Sequence, residues 1–181
     1  MADVQGPGSL VASEKVDGDA KSDDDELKRG IHIATGFIAY RQRSEFEVTR
    51  RLRRASISDT VVPQVLSRLR DNGLIDDRAF AAAYTRDQMH LRSRGPARVR
   101  NGLLKLGVAR DLIDEALKEA FAGQDPLQKA VEAGTKRWAR LSDVEGRKRR
   151  KRVYDYLVRQ GYPFDVARRA VDVIQKENAT R

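Results

Sequence analysis

The chain has 181 residues, with 36 Lys or Arg, 27 Asp or Glu and no Cys, for a net charge of +9. The missing thiols exclude disulfides and thiolate metal sites and fit a reducing compartment. No apolar run approaches the roughly 20 residues of a membrane span and the N-terminus lacks a signal-peptide pattern, so a soluble, cytoplasmic protein is expected.

Residues 1–28 are rich in Gly, Asp, Ser and Ala and show little apolar periodicity. Such a segment buries too little surface to offset backbone ordering, and it is expected to be a disordered acidic tail. Helical signals follow to the end of the chain. Ile33, Phe37 and Tyr40 share one face of a first helix. Ser44 stands three residues before Glu47, a capping-box spacing that opens a second helix with Val48 and Leu52. Ser58 or Asp59 caps a third, which carries Val62, Val65, Leu66 and Leu69 and stops at Gly73.

The next unit opens at Asp76 or Asp77. Phe80, Ala83, Tyr84 and Leu91 run along its first helix. Gly95 ends that helix and Pro96 suits the first position of the next, which holds Val99, Leu103 and Leu106. Gly107 breaks it, and Asp111 lies in the first turn of a helix with Leu112, Ile113, Ala116 and Leu117. The last unit starts at Asp125 and Pro126. Leu127, Val131, Gly134, Trp138 and Leu141 form its first stripe. A second helix carries Val153, Tyr154, Leu157 and Val158. Gly161 breaks that helix, and a final one holds Val166, Ala170, Val171 and Ile174.

These units follow one apolar ruler. From Leu52 to Leu103 is 51 residues, and from Leu103 to Leu157 is 54. The break residues Ser56, Gly107 and Gly161 occupy one offset. Glycine there supplies the left-handed backbone that ends a helix, so Ser56 predicts a less sharp or more strained turn. The fold class that results is all-α: tandem three-helix repeats in an elongated array, over 29–75, 76–123 and 124–181.

No enzyme constellation stands out. His32 and His90 have no metal-ligand spacing, the glycines form no phosphate loop, and Asp76–Asp77 reads as a helix cap rather than a catalytic pair. Neither a metal nor a cofactor is expected. The aromatic residues Phe37, Tyr40, Phe80, Tyr84, Trp138, Tyr154 and Tyr156 read as core.

The informative chemistry is cationic. Arg50, Arg51, Arg53 and Arg54 surround Leu52. Arg92, Arg94, Arg98 and Arg100 bracket Gly95–Pro96, with Lys105 further along the same helix. Arg147, Lys148, Arg149, Arg150, Lys151 and Arg152 are an unbroken run. Positive charge therefore recurs with the repeat, and guanidinium forks suit phosphates and carboxylates. These residues are the candidate contacts for acidic protein surface, DNA phosphate, or both.

Two segments resemble a known family. Asn72-Gly73-Leu74-Ile75-Asp76-Asp77-Arg78-Ala79-Phe80-Ala81 is similar to the G-x-hydrophobic-D-D-x-x-F-A motif of the RecX regulators. Arg94-Gly95-Pro96-Ala97-Arg98-Val99, followed by Leu103-Leu104-Lys105-Leu106-Gly107-Val108, resembles that family's R-G-P segment. Asp111 to Leu117 and Leu157 to Tyr162 extend the likeness, which covers roughly 34–176. The resemblance implies a curved array of three-helix repeats bound in the groove of a RecA recombinase filament, across neighbouring protomers; a monomer is expected. There it would suppress ATP hydrolysis and strand exchange in recombination and DNA repair. The rival function is direct DNA binding, as in a transcription regulator, which needs one recognition helix and usually a dimer.

Overall fold

The computed structural model describes residues 14–179, with side chains from residue 22, and every regular element among them is helical. In order these are α1 (Glu14–Ile38), α2 (Glu45–Arg54), α3 (Val62–Asp71), α4 (Asp77–Arg92), α5 (Pro96–Lys105), α6 (Arg110–Phe121), α7 (Pro126–Ala139), α8 (Gly146–Arg159) and α9 (Phe164–Ala179). They form three triplets, and in each the first helix packs along the third. The apolar ruler supplies three separate cores. Val48, Leu52, Ile57, Val61, Val65 and Leu69 are buried in the first. Phe80, Val99, Leu103, Ile113 and Leu117 fill the second. Trp138, Val153, Leu157, Val171 and Ile174 fill the third.

Two compact units hold these cores. One comprises the chain up to Arg43 and Glu47–Ile75; the other comprises Asp76 onward together with Ser44–Phe46. The second and third triplets thus share one unit while keeping distinct cores.

The expected tail spans residues 1–28. Residues 1–13 lie outside the described chain, but from Glu14 the backbone is already α1. The acidic run forms outer turns of this helix. Lys28 pairs with Asp24 one turn away at 2.5 Å. The Glu26 carboxylate accepts from the Ser58 hydroxyl at 2.7 Å and the Ser58 amide at 3.0 Å. Those bonds hold its carboxyl below the usual range, the hydroxyl contributing most. Leu27 and Ile31 meanwhile pack on the first core. Two further expectations fail for geometric reasons. Tyr40 is 89% exposed because α1 ends at Ile38 and the helical phase no longer applies. Leu91 is 79% exposed because α4 buries Phe80, Ala81, Thr85 and Met89, a stripe that leaves Leu91 outside.

The adjacent carboxylates Asp76 and Asp77 are structural. Asp76 caps α4, accepting from the amides of Arg78 at 2.8 Å and Ala79 at 3.0 Å. Asp77 accepts from the Glu45 amide at 2.9 Å. Capping of this kind satisfies the free amides of a first turn and complements its dipole.

At the shared offset, Ser56, Gly107 and Gly161 all adopt positive φ, at 57°, 75° and 90°. The turn at Ser56 is therefore as sharp as its counterparts, and the strain falls on a residue with a Cβ. The two glycines have a second reason for their identity. A Cβ on Gly107 would lie 2.3 Å from the Phe46 Cβ, and one on Gly161 would lie 2.4 Å from the Arg98 amide nitrogen. Just before each glycine a carbonyl accepts from the segment that leads into an earlier second helix. Leu106 O accepts from Ser44 Oγ at 2.6 Å, and Gln160 O from the Gly95 amide at 2.8 Å. Ser56 is solvent-exposed, so a side chain is tolerated there. Ser56→Gly is expected to raise unfolding free energy by about 1 kcal/mol by removing the left-handed penalty. Urea denaturation of the two chains checks this.

Candidate partner-binding surface

The fifteen cationic candidates fall into distinct environments. In the first unit, Arg50, Arg51, Arg53 and Arg54 are all exposed on α2. Arg53 pairs with Asp59 at 2.8 Å, but both side chains are largely exposed, and such pairs contribute little. Arg51 and Arg54 have no ion pair among the described residues. The buried charge of this unit is one the sequence reading left out. Glu47 is only 5% exposed and accepts from Arg41 at 2.5 Å and Arg43 at 3.3 Å. The Arg43 guanidinium also lies 4.0 Å from the centre of the Phe37 ring.

In the second triplet the R-G-P segment acts largely as a joint. Gly95 is the N-cap of α5 and Pro96 its first residue. Arg94 donates to the Gln88 side chain. Arg98 donates to the Arg159 carbonyl at 2.5 Å, in the third triplet. The Tyr162 phenol, buried nearby, faces the Ser93 carbonyl at 3.2 Å and the Lys129 carbonyl at 3.3 Å as alternative acceptors. Burial above all pushes this phenol up to about 12. Arg100 pairs with Asp114 at 2.5 Å. Arg92 and Lys105 are exposed, without an ion pair among the described residues.

The six-residue basic run is divided by helical phase. Arg149 turns inward. Its Nε and Nη2 donate to the Trp138 carbonyl at 3.1 and 2.7 Å. Its guanidinium lies 4.4 Å from the centre of the indole ring. Lys148 pairs with Glu145 at 3.5 Å and Lys151 with Asp155 at 2.9 Å. Arg150 reaches α9, bonding Asp172 and Gln175. Arg147 and Arg152 stay exposed, with no ion pair among the described residues.

Arg147, Arg150, Lys151 and Tyr154 recur at i, i+3, i+4 and i+7, so they line one face of α8. With Arg168 and Val171 of α9 they border an open groove of about 350 Å³. Arg168 escaped the sequence reading because it belongs only to an isolated Arg168–Arg169 pair. Its membership could only have come from pairing the α8 and α9 faces.

Among the described residues no three His, Asp or Glu side chains are grouped to hold a metal ion. No helix there is long and apolar enough to cross a membrane.

Comparison with known proteins identifies the triplets one by one. Models described as the first, second and third three-helix domains of RecX match residues 31–69, 76–117 and 124–171. Regulatory protein RecX of Geobacillus kaustophilus (strain HTA426) is 38% identical over 143 residues, 78% of this chain and 52% of the relative. That of Bacillus subtilis (strain 168) is 33% identical over 154 residues, 85% of this chain and 58% of the relative. The chain thus spans about half the length of the curated relatives it matches. A crystal structure of RecX from Lactobacillus salivarius superposes with a TM-score of 0.67 at 24% identity, covering 87% of this chain and 99% of that one. A second, a crystal structure of regulatory protein RecX, reaches 0.75 at 24% identity, over 91% and 81%. Both likenesses concern the fold.

Proposed function

The chain belongs to the RecX family, and from that premise we propose that it is a cytoplasmic, monomeric regulator of the RecA recombinase. It docks in the groove of a RecA–DNA filament and suppresses ATP hydrolysis and strand exchange, performing no chemistry of its own. The observation that carries this reading is the ordered match of all three triplets to the three RecX domains. The charge supports it. Each triplet keeps exposed cations without an ion pair on its middle helix: Arg51 and Arg54 on α2, Lys105 on α5, Arg147 and Arg152 on α8. Cations left unneutralised at a surface steer association with anionic partners and weaken with salt.

The test adds the chain to a RecA filament on single-stranded DNA and follows ATP hydrolysis and filament length. Both are expected to fall. The R51E/R54E variant should need about tenfold more protein for the same inhibition, with unchanged helicity, because reversed charges at a docking surface repel. Unaltered hydrolysis and length at saturating protein would overturn the proposal.

A further inference from the structure

The α8–α9 groove combines two kinds of lining. Its rim is cationic: Arg147, Arg150 and Lys151 from α8 and Arg168 from α9. The acidic groups that meet this rim are Asp172, paired with Arg150, and Asp155, paired with Lys151. Arg150 is held further by Gln175. Arg147 and Arg168 have no ion pair among the described residues, so their guanidinium forks are available. The floor is apolar. Val171 is buried and Tyr154 packs against the third core, while the Arg and Lys stems add methylenes.

A ligand for this groove must carry negative charge and a flat apolar part together. Inorganic phosphate would leave the floor wet. A carboxylate-rich peptide brings charge without a ring to set on Tyr154. A duplex presents phosphates while its bases stay stacked inside. An unpaired nucleotide supplies both, since guanidinium forks engage phosphodiester oxygens and an aromatic side chain stacks on a base. The volume suits a unit of that size, at the low end of small-ligand sites. The groove is open, so a strand can enter and leave.

We propose that the α8–α9 groove binds one nucleotide of a single-stranded nucleic acid, its phosphate between Arg147 and Arg168 and its base against Tyr154. This deepens the function proposed above and rests on it for the presence of nucleic acid beside the docked chain. It assigns the third triplet to the strand rather than to protein.

The experiment titrates the full chain, without recombinase, into a labelled oligothymidylate and reads anisotropy. R147Q/R168Q is expected to lose at least tenfold in affinity and to flatten the salt dependence by about 0.7 in log–log slope, the share of the one phosphate held between them on single-stranded nucleic acid. Y154L, which keeps an apolar side chain but removes the ring, should lose about tenfold in affinity. Thymidine monophosphate, poly-glutamate and a duplex of the same length are the competitors, and each should compete at least tenfold more weakly than unlabelled oligothymidylate. Unchanged affinity in R147Q/R168Q would overturn the site. Equal competition by poly-glutamate would reassign the groove to acidic protein, by the mononucleotide to a free nucleotide, and by the duplex to phosphate alone; each also overturns the proposal. The two readings fail separately. Oligonucleotide binding that depends on Arg147 and Arg168 without inhibition of RecA removes the regulator reading, and inhibition without that dependence removes the groove.

Discussion

Gly161→Ala is expected to lower the unfolding free energy by about 3–4 kcal/mol. The backbone there has φ +90°, where an L-residue carries a penalty of about 1–2 kcal/mol. The added Cβ would lie 2.4 Å from the Arg98 amide nitrogen and 2.7 Å from the Arg98 Cβ. That wall is mostly backbone, so it cannot rotate aside as a side-chain tip would. Separating the two segments would also strain the Gly95 amide bond to the Gln160 carbonyl at 2.8 Å and the Arg98 bond to the Arg159 carbonyl at 2.5 Å. Gly123 is the control. It too has positive φ, at 67°, but nothing lies within 4 Å of a Cβ built there. Gly123→Ala should therefore lose only about 1–2 kcal/mol. Urea denaturation of both variants separates the contributions, and equal losses would show that packing between the second and third triplets adds nothing at Gly161.

Arg149→Ala is expected to cost about 2 kcal/mol, whereas Arg147→Ala, two positions earlier in the same basic run, should stay within about 0.5 kcal/mol. Arg149 donates twice to the Trp138 carbonyl near the end of α7 and covers the indole face. Removing it leaves that carbonyl without its charged donor and takes a cation from the aromatic ring, which contributes about 0.5–2 kcal/mol. Trp138 is the chain's single tryptophan, so its emission reports this event directly. A lower melting temperature and altered Trp emission should appear in Arg149→Ala alone. Matching melts for the two variants would return Arg149 to the exposed cations.

The outcome at Arg149 bears on what could be read in advance. Six consecutive basic residues look alike as a run, and all six are candidate partner contacts on sequence grounds. The helix distributes them at 100° per residue. Arg149 is sent toward Trp138, Arg150 toward Asp172, and Arg147 to the groove rim. Which direction is inward depends on where α7 and α9 lie. The R-G-P segment gives a similar lesson. Gly95 is legible as a helix boundary, but its close approach to Gly161, with a built Cβ 2.6 Å from the Gly161 carbonyl oxygen, involves a residue 66 positions away. Glu47 was legible as a capping-box residue, yet its burial between Arg41 and Arg43 depends on how the chain enters α2.

The amino-acid order by itself determined the helices, the three cores, the shared offset of the break residues and the cationic middle helices. Each of these follows from local periodicity or from one residue's backbone preference. Tertiary structure alone decided that Glu26 on α1 bonds Ser58, that Arg98 and Arg149 hold the protein together, and that Arg168 joins Arg147 beside Tyr154. The physical reason is common to all three. Side chains distant along the chain meet only when helices pack, and the chemistry of an arginine is set by what it meets.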